Sequence, residues 1–183
     1  DAVTNTYTAD TTLLAPLDTA LSLSLLPSFP YGVEVGVYTT SFTPGVGQYR
    51  FVVETCCRNG AIKNASNPLS ESMTLYTDLL VDSLHNSTPA CLALPVAYFP
   101  VNQAAVYNPL PFDPDADSIS WNLNTPISTH TFGATGFNLV NVAGFTAPSA
   151  TASGPFTMNA VTGEINWTPD TVGNFIQSFI INE

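Results

Sequence analysis

The sequence predicts an all-β protein, and three observations lead to this fold class. Thr, Ser, Asn, Pro and Gly are abundant among the 183 residues, whereas the helix formers Lys, Glu and Gln are scarce. Short segments alternate apolar and polar residues, as half-buried strands do. Turn-forming residues separate these segments, and strands at this spacing are typical of a β-sandwich.

In the first half, the alternation is clearest in Tyr31–Thr39, which we predict to be a strand. A turn over Thr43–Gly47 follows, and Gln48–Thr55 resumes the sheet. The apolar segment Met73–Leu84 is interpreted as a strand, with a short helix as the alternative. The first half therefore resembles an antiparallel meander or Greek key.

The second half contains shorter strand-like segments. These are Leu92–Phe99, Ala104–Tyr107, Ile119–Leu123, Phe156–Met158, Gly163–Trp167 and Phe175–Ile181. A region rich in small residues, 133–154, holds an apolar stretch around Phe137–Val142. The sequence NSTP at Asn86–Pro89 separates the halves, because Pro ends a strand ladder. We therefore predict two domains, residues 1–89 with a polar N-terminal tail and residues 90–183.

The charge of the chain argues against several classes of partner. Three basic residues stand against 14 acidic ones, and the net charge is -11. Nucleic acids and anionic membranes both require a positive surface, so neither is expected as a partner. No apolar run reaches the roughly 20 residues that span a bilayer, so membrane insertion is not expected. Because the chain begins at Asp1, we expect a segment of a longer exported protein.

The stretch Pro111–Leu123 (PFDPDADSISWNL) carries a candidate cation site. Asp113, Asp115 and Asp117 alternate through a short turn, and carboxylates at this spacing can point at a common centre. Calcium binds several oxygen ligands of this kind. Asp and Pro are also common turn residues, and the EF-hand spacing is absent. The pattern alone therefore leaves a calcium site and a solvated acidic turn equally open.

Several short sequence motifs occur in an order that resembles the motif order of a known protein family. They are CCRNGAIKN (Cys56–Asn64), NSTP (Asn86–Pro89), LPVAYFPVNQ (Leu94–Gln103), DPDADSISWNL (Asp113–Leu123), TGEINWTPDTVGNF (Thr162–Phe175) and the closing INE. Over residues 35–183 the chain resembles the modular gliding-motility-associated surface proteins of Bacteroidetes. The resemblance implies two consecutive immunoglobulin-like or cadherin-like β-sandwich modules, secretion by the type IX route and a long parent protein.

Two positions depart from the usual sequence motifs of the family. The family's DGDS reads DADS here, so Ala116 stands in the place of a glycine. Pro100 stands where the family usually has Cys, while Cys91 comes nine residues earlier. The first departure bears on the turn that would bind metal, and the second bears on the disulfide pairing.

The resemblance also implies calcium as a cofactor. Cadherin-type modules bind calcium at domain junctions, with a D-x-D turn, a linker Asn and acidic residues of the neighbouring module. Asp113, Asp115 and Asp117 match the turn, and Asn86 matches the linker. Calcium at these residues would make the junction rigid, because the metal joins groups from two domains. A linker stiffened by proline without metal is the alternative.

The three cysteines leave one unpaired when a single disulfide forms. Cys56 and Cys57 are adjacent, so they bond either to each other or, through one of them, to Cys91. For an exported chain in an oxidising environment, we expect the bridge to Cys91. Zinc is not expected, because CxxC spacing is absent, and we expect the two isolated histidines, His85 and His130, on surface loops.

Asp followed by Ser or Thr and a small or aliphatic residue is the O-glycosylation signature of exported Bacteroidetes proteins. By this resemblance, the candidate modified residues are Thr11, Thr19, Ser83, Ser118 and Thr171. The Asn-x-Ser/Thr sequences at Asn64, Asn86 and Asn166 are interpreted as chance occurrences in a bacterial protein.

We expect a non-catalytic, secreted cell-surface protein with a structural or adhesive role. Its partners would be other surface proteins, surface polysaccharide or copies of itself. Neither His85 nor His130 lies in an activating sequence for a Ser/His/Asp site. The only acidic group suited to glycoside hydrolysis is the Asp-rich turn with Glu164, which lies in a strand-like sequence.

Two other functions stay open. A carbohydrate-binding module of a secreted protein would use exposed aromatic rings. The candidates are Tyr31, Tyr38, Tyr98, Tyr107, Trp121 and Trp167, although alternation favours a core position for both Trp residues. A self-assembling filament or sheath subunit would add its N-terminal tail, Ala2–Thr12, to the sheet edge of a neighbour.

Overall fold

The computed structural model describes residues 11–19, 35–82, 86–133, 136–151 and 156–183. Over these ranges the protein is all-β, as predicted, with a 3₁₀ turn at Pro68–Ser70 and a four-residue helix, α1, at Pro148–Thr151. The strands are β1 (Gly47–Thr55), β2 (Met73–Val81), β3 (Ala90–Cys91), β4 (Ala105–Tyr107), β5 (Pro111–Phe112), β6 (Ser120–Asn124), β7 (Ile127–Gly133), β8 (Gly136–Asn141), β9 (Phe156–Met158), β10 (Ile165–Trp167) and β11 (Ser178–Asn182).

The strands pair into small antiparallel sheets, which agrees with a β-sandwich. β1 and β2 pair along their full length, and β10 lies between β4 and β9. β11 pairs with β6, β7 with β8, and β3 with β5. The division into two immunoglobulin-like or cadherin-like modules at residue 89 stays a prediction. Within the described ranges, no helix is long and apolar enough to cross a membrane.

The alternation of β1 gives the first hairpin an aromatic face and a polar face. Tyr49 and Phe51 share the first face, and the ring of Phe42 packs on both at centroid distances of 5.9 and 6.4 Å. Arg50 and Glu54 project from the opposite face, because side chains along a strand alternate between the two sides. The partner segment, Met73–Val81, is a strand, so the helix alternative for this segment is wrong.

The aromatic core lies in the second half of the chain. Trp121 and Trp167 are both buried, as their alternating positions predict. Trp121 packs on Phe179 at 4.7 Å between ring centroids. Three phenylalanines surround Trp167 edge to face at 5.2 to 5.7 Å, an arrangement that aromatic rings favour. These three are Phe99, Phe156 and Phe175.

A buried asparagine joins the two halves of the chain. Asn64 is 1% exposed, and its side-chain amide donates to the carbonyls of Thr146 at 2.9 Å and Ile176 at 2.8 Å. The amide of Ile176 donates back to Asn64 Oδ1 at 2.9 Å. Asn64 belongs to the first predicted domain and its partners to the second, so the two predicted domains share buried hydrogen bonds.

Three segments differ from the sequence prediction. The predicted strand Tyr31–Thr39 is not a strand over its described residues 35–39, where Tyr38 forms an isolated bridge with Leu17. The predicted strand Leu92–Phe99 is irregular, since Pro95 cannot donate to a ladder and the amide of Val96 donates to the nearby carbonyl of Leu94 at 2.8 Å. Conversely, Ile127–Gly133 is the strand β7, which the residue pattern does not indicate. Its polar residues, STHT, obscure the apolar alternation.

Candidate functional site

The Asp-rich turn connects β5 to β6, and the carboxylate of Asp113 organises it. Asp113 Oδ1 accepts hydrogen bonds from the backbone amides of Asp115 at 2.8 Å and Asp117 at 3.2 Å. The amide of Ala116 donates to the carbonyl of Asp113 at 3.2 Å. Ala116 has a φ of 67°, in the left-handed region that favours glycine. Glycine would adopt the conformation of residue 116 without steric cost.

The turn contacts the predicted linker. The backbone amide of Ser87 donates to Asp115 Oδ2 at 2.6 Å. The neighbouring side-chain amide of Asn86 donates to the carboxylate of Glu183, which follows β11. The segment of Asn86 and Ser87 thus lies beside the Asp-rich turn, while the Asn86 side chain bonds to Glu183.

The carboxylates meet the needs of calcium only in part. Asp113 Oδ2 is buried without a hydrogen-bond partner, so a cation would satisfy an oxygen that is otherwise left unpaired. Across the described ranges, however, no three Asp, Glu, His or Cys side chains gather around a common point. Calcium needs six to eight oxygen ligands, so backbone carbonyls, amide oxygens or water would have to complete the site. Calcium binding stays a prediction.

The cysteines pair differently from the expected Cys91 bridge. Cys56 and Cys57 are bonded to each other across a cis peptide bond, directly after β1. Cys91 is a free, exposed thiol on β3, where it lies opposite Pro111. Because Cys56 and Cys57 bond to each other, Cys91 has no disulfide partner. Although Cys91 is exposed, neighbouring atoms shield its thiol from part of the solvent, and this partial desolvation raises the pKa of the thiol above its ordinary value.

The candidate glycosylation residues lie at the surface where they are described. Thr11, Thr19, Ser118 and Thr171 are exposed, and Ser83 lies outside the described residues. Their modification stays a prediction. The side chain of Asn64 is buried and donates to backbone carbonyls, so its Asn-x-Ser sequence offers no accessible acceptor for a glycan.

The aromatic residues do not form the predicted sugar platform as a group. Trp121 and Trp167 belong to the core, and the hydroxyl of half-buried Tyr107 donates to the carbonyl of Leu94 at 2.6 Å. Tyr38 and Tyr98 are 63% and 44% exposed. Tyr31, His85 and residues 2–10 of the N-terminal tail lie outside the described residues.

Polar side chains cluster around Glu54, and the sequence does not predict this cluster. The Glu54 carboxylate accepts from the hydroxyl of Thr129 at 2.9 and 3.0 Å. The single proton of the Thr74 hydroxyl is shared between Glu54 Oε2 at 3.2 Å and the carbonyl of Ser128 at 2.8 Å. The Glu54 carboxylate also accepts from the backbone amide of His130 at 3.3 Å and contacts His130 Nδ1 at 2.9 Å. The sequence predicts His130 on a surface loop, but His130 lies on β7, because the segment STHT forms a strand.

The Glu54 contacts also set its protonation. Burial of the carboxylate acts to raise the pKa of Glu54, but hydrogen bonds from Thr129, His130 and Thr74 together outweigh it and lower the pKa. The side chains of His130 and Glu54 remain 30% and 28% exposed, so solvent screens their electrostatic attraction. Glu54 is therefore charged at neutral pH and binds β7 through hydrogen bonds.

Arg50, which lies on the same face of β1 as Glu54, also contacts residues of β2 and β8. Its guanidinium binds both oxygens of Asp78, at 2.5 and 2.6 Å, and lies over the rings of Tyr76 and Phe137 at 4.6 and 5.0 Å. Phe137 in turn stacks on His130 at 5.4 Å. Cation–π contacts of this kind add modest stability at partly exposed sites. The polar face of β1 and β2 is thus the surface on which β7 and β8 pack.

No protein-family model matches the chain, and no curated protein or solved structure matches it. The fold and these contacts define a class, an all-β protein whose polar side chains join separate strands.

Proposed function

We propose that this chain is a non-catalytic structural or adhesive part of a secreted cell-surface protein. The proposal rests on the buried polar side chains, which bind backbone groups that are distant in the sequence. Asn64 and Thr74 bond to backbone carbonyls of distant segments, at Thr146, Ile176 and Ser128. Buried polar groups of this kind fix the arrangement of strands, which is what a load-resisting surface module requires.

Two further features support an extracellular location. Cys56 and Cys57 are paired, and disulfides persist in oxidising compartments and are rare in reducing ones. The chain also carries only three basic residues and a net charge of -11, which favours solubility and repulsion between copies. The resemblance to gliding-motility-associated surface modules of Bacteroidetes points the same way.

We propose further that calcium stiffens the region where the Asp-rich turn meets the linker. Asp113 would contribute its unpaired Oδ2, with Asp115, Asp117 and Asn86 as the other predicted ligands. When bound, calcium would supply a positive charge that joins the turn to residues 86–87. The residues of the chain already bring these segments together through the Ser87–Asp115 hydrogen bond.

The location is tested on intact cells of the producing organism. Antibodies raised against the purified chain are expected to label unlysed cells, and added purified chain is expected to reduce attachment of those cells to a surface. Labelling that requires lysis would contradict the extracellular proposal. Surface labelling with unchanged attachment would favour a structural role over an adhesive one.

The calcium proposal is tested by thermal melts with calcium and then with excess chelator, on wild type and on Asp113→Asn. The substitution keeps an oxygen that can accept from the amides of Asp115 and Asp117 but replaces the unpaired oxygen. We expect a calcium-dependent rise in Tm in wild type and in the control Glu164→Gln, and none in Asp113→Asn. Equal melting of wild type with and without calcium would refute the metal site and leave the surface role untouched.

A further inference from the structure

Side chains occupy the edge of β7 that faces the first hairpin. Arg58 Nη2 donates to the carbonyl of Ile127 at 2.8 Å, and the Thr74 hydroxyl donates to the carbonyl of Ser128 at 2.8 Å. The backbone amide of His130 donates to Glu54 Oε2 at 3.3 Å. Three backbone groups in the first half of the strand are thus bound by side chains, and those of Ser128 and His130 lie on the same edge because they are two residues apart. The other edge pairs with β8, with an irregularity between Ile127 and Thr129.

This arrangement matters because β7 has little protection of its own. An edge strand with unpaired amides and carbonyls is a template for pairing with another chain, and proteins usually prevent this with charges or Pro on the strand. The sequence of β7, ISTHTFG, contains no Lys, Arg, Asp, Glu or Pro. Its Ile, Thr and Phe residues favour extended structure. The protection of this edge therefore comes from residues outside the strand.

We propose that Arg58, Thr74 and Glu54 form an edge guard that prevents β7 from pairing with β7 of a second copy of the chain. The second copy is the expected occupant because antiparallel pairing of identical strands satisfies both edges at once and closes as a twofold dimer. Such pairing opposes no carboxylates within the two strands, since β7 has none. The guard is a property of the fold and does not depend on where the protein acts.

Glu54→Ala tests the guard, because it frees the amide of His130 and removes the acceptor that orients Thr129. At pH 8 and about 0.15 M salt, where charge repulsion between copies is screened beyond about 8 Å, the wild type is expected to remain at its monomer mass of 19.4 kDa. The variant is expected to double in mass by light scattering. Glu164→Ala, which removes the same charge away from β7, is expected to remain monomeric.

A second substitution identifies the edge that assembles. Pro lacks an amide hydrogen and is tolerated on strand edges, so His130→Pro in the Glu54→Ala background is expected to restore the monomer mass. A folded Glu54→Ala protein that stays monomeric overturns the proposal, as does assembly that His130→Pro leaves unchanged or a wild type that already dimerises through β7. Should Glu54→Ala fail to fold, Thr74→Val frees the carbonyl of Ser128, and the same two mass results decide the question.

Discussion

Gly163 lies against the indole ring of Trp121, so close that a β-carbon at residue 163 would be 2.6 Å from Trp121 Cε2. The same residue has a φ of 69°, which L-amino acids with a side chain rarely adopt. Trp121 is buried against Phe179 and has little room to move. The glycine at residue 163 therefore permits both the left-handed turn before β10 and the close packing of the Trp121 indole.

Gly163→Ala is expected to lower the free energy of unfolding by at least about 2 kcal/mol. The left-handed backbone costs about 1–2 kcal/mol for a residue with a β-carbon, and overpacking against the indole adds about 1–3 kcal/mol. Urea denaturation measures the loss. Gly133→Ala is the control, because a β-carbon there meets no atom of the described residues within 4 Å, and its effect is expected to be within about 0.5 kcal/mol. Equal effects of the two substitutions would contradict the contact.

Ala116→Gly is expected to stabilise the protein by about 1 kcal/mol. Ala116 adopts a φ of 67° in the Asp-rich turn, and glycine adopts this conformation without steric cost. Ala104→Gly provides the comparison, because Ala104 is exposed and has no positive φ. That substitution is expected to destabilise by about 0.4–1 kcal/mol, since glycine gains entropy in the unfolded chain. Chemical denaturation without calcium measures the change in unfolding free energy of each variant. A destabilised Ala116→Gly protein would contradict the turn geometry.

Asn64→Ala is expected to cost about 2–4 kcal/mol of folding stability. The substitution removes two donated hydrogen bonds and one accepted bond, all partly buried, that tie residue 64 to the backbone of Thr146 and Ile176. Asn122→Ala, at an exposed position of β6, is the matched control and is expected to change stability by less than about 0.5 kcal/mol. The midpoint of urea unfolding at constant slope measures both. A loss below 1 kcal/mol at residue 64 would show that water replaces these bonds.

The contribution of Glu54 to stability is expected to disappear in acid. Its folded pKa lies below the ordinary value of 4.5, so the unfolded state binds the proton more readily. The stabilisation is complete above the unfolded pKa and is lost as pH falls through the folded pKa. The difference in unfolding free energy between wild type and Glu54→Gln should therefore be largest near neutral pH and should shrink below about pH 4.5. A difference that stays constant from pH 7 to pH 3 would contradict the lowered pKa.

Several strands could be predicted from local alternation, but the described part of Tyr31–Thr39, where the first half alternates most clearly, is not a strand. β1, β6 and β9 lie where alternating residues indicate them, because one buried face imposes a period of two on large apolar side chains. Trp121 and Trp167 are in the core for the same reason. β7 could not be found in this way, since hydrogen bonds rather than apolar burial hold much of its outer edge.

The site residues were predictable only where they are close in sequence. The Asp-rich turn forms from neighbours, and its ties to Asp113 are local. Glu54 and His130 are separated by 76 residues, and no feature of either local sequence indicates the other. The cysteine pairing also depends on where Cys91 lies in three dimensions, which spacing alone does not determine.

The hydrogen bonds of Asn64 also constrain the order in which the chain becomes folded during synthesis. Its partner carbonyls are 82 and 112 residues further along the chain. At about 5–20 residues per second, a ribosome completes residue 176 about 6 to 22 s after residue 64. For that interval the first hairpin exists without the groups that satisfy its buried asparagine. A nascent chain therefore remains for several seconds in an incomplete state before these hydrogen bonds can form.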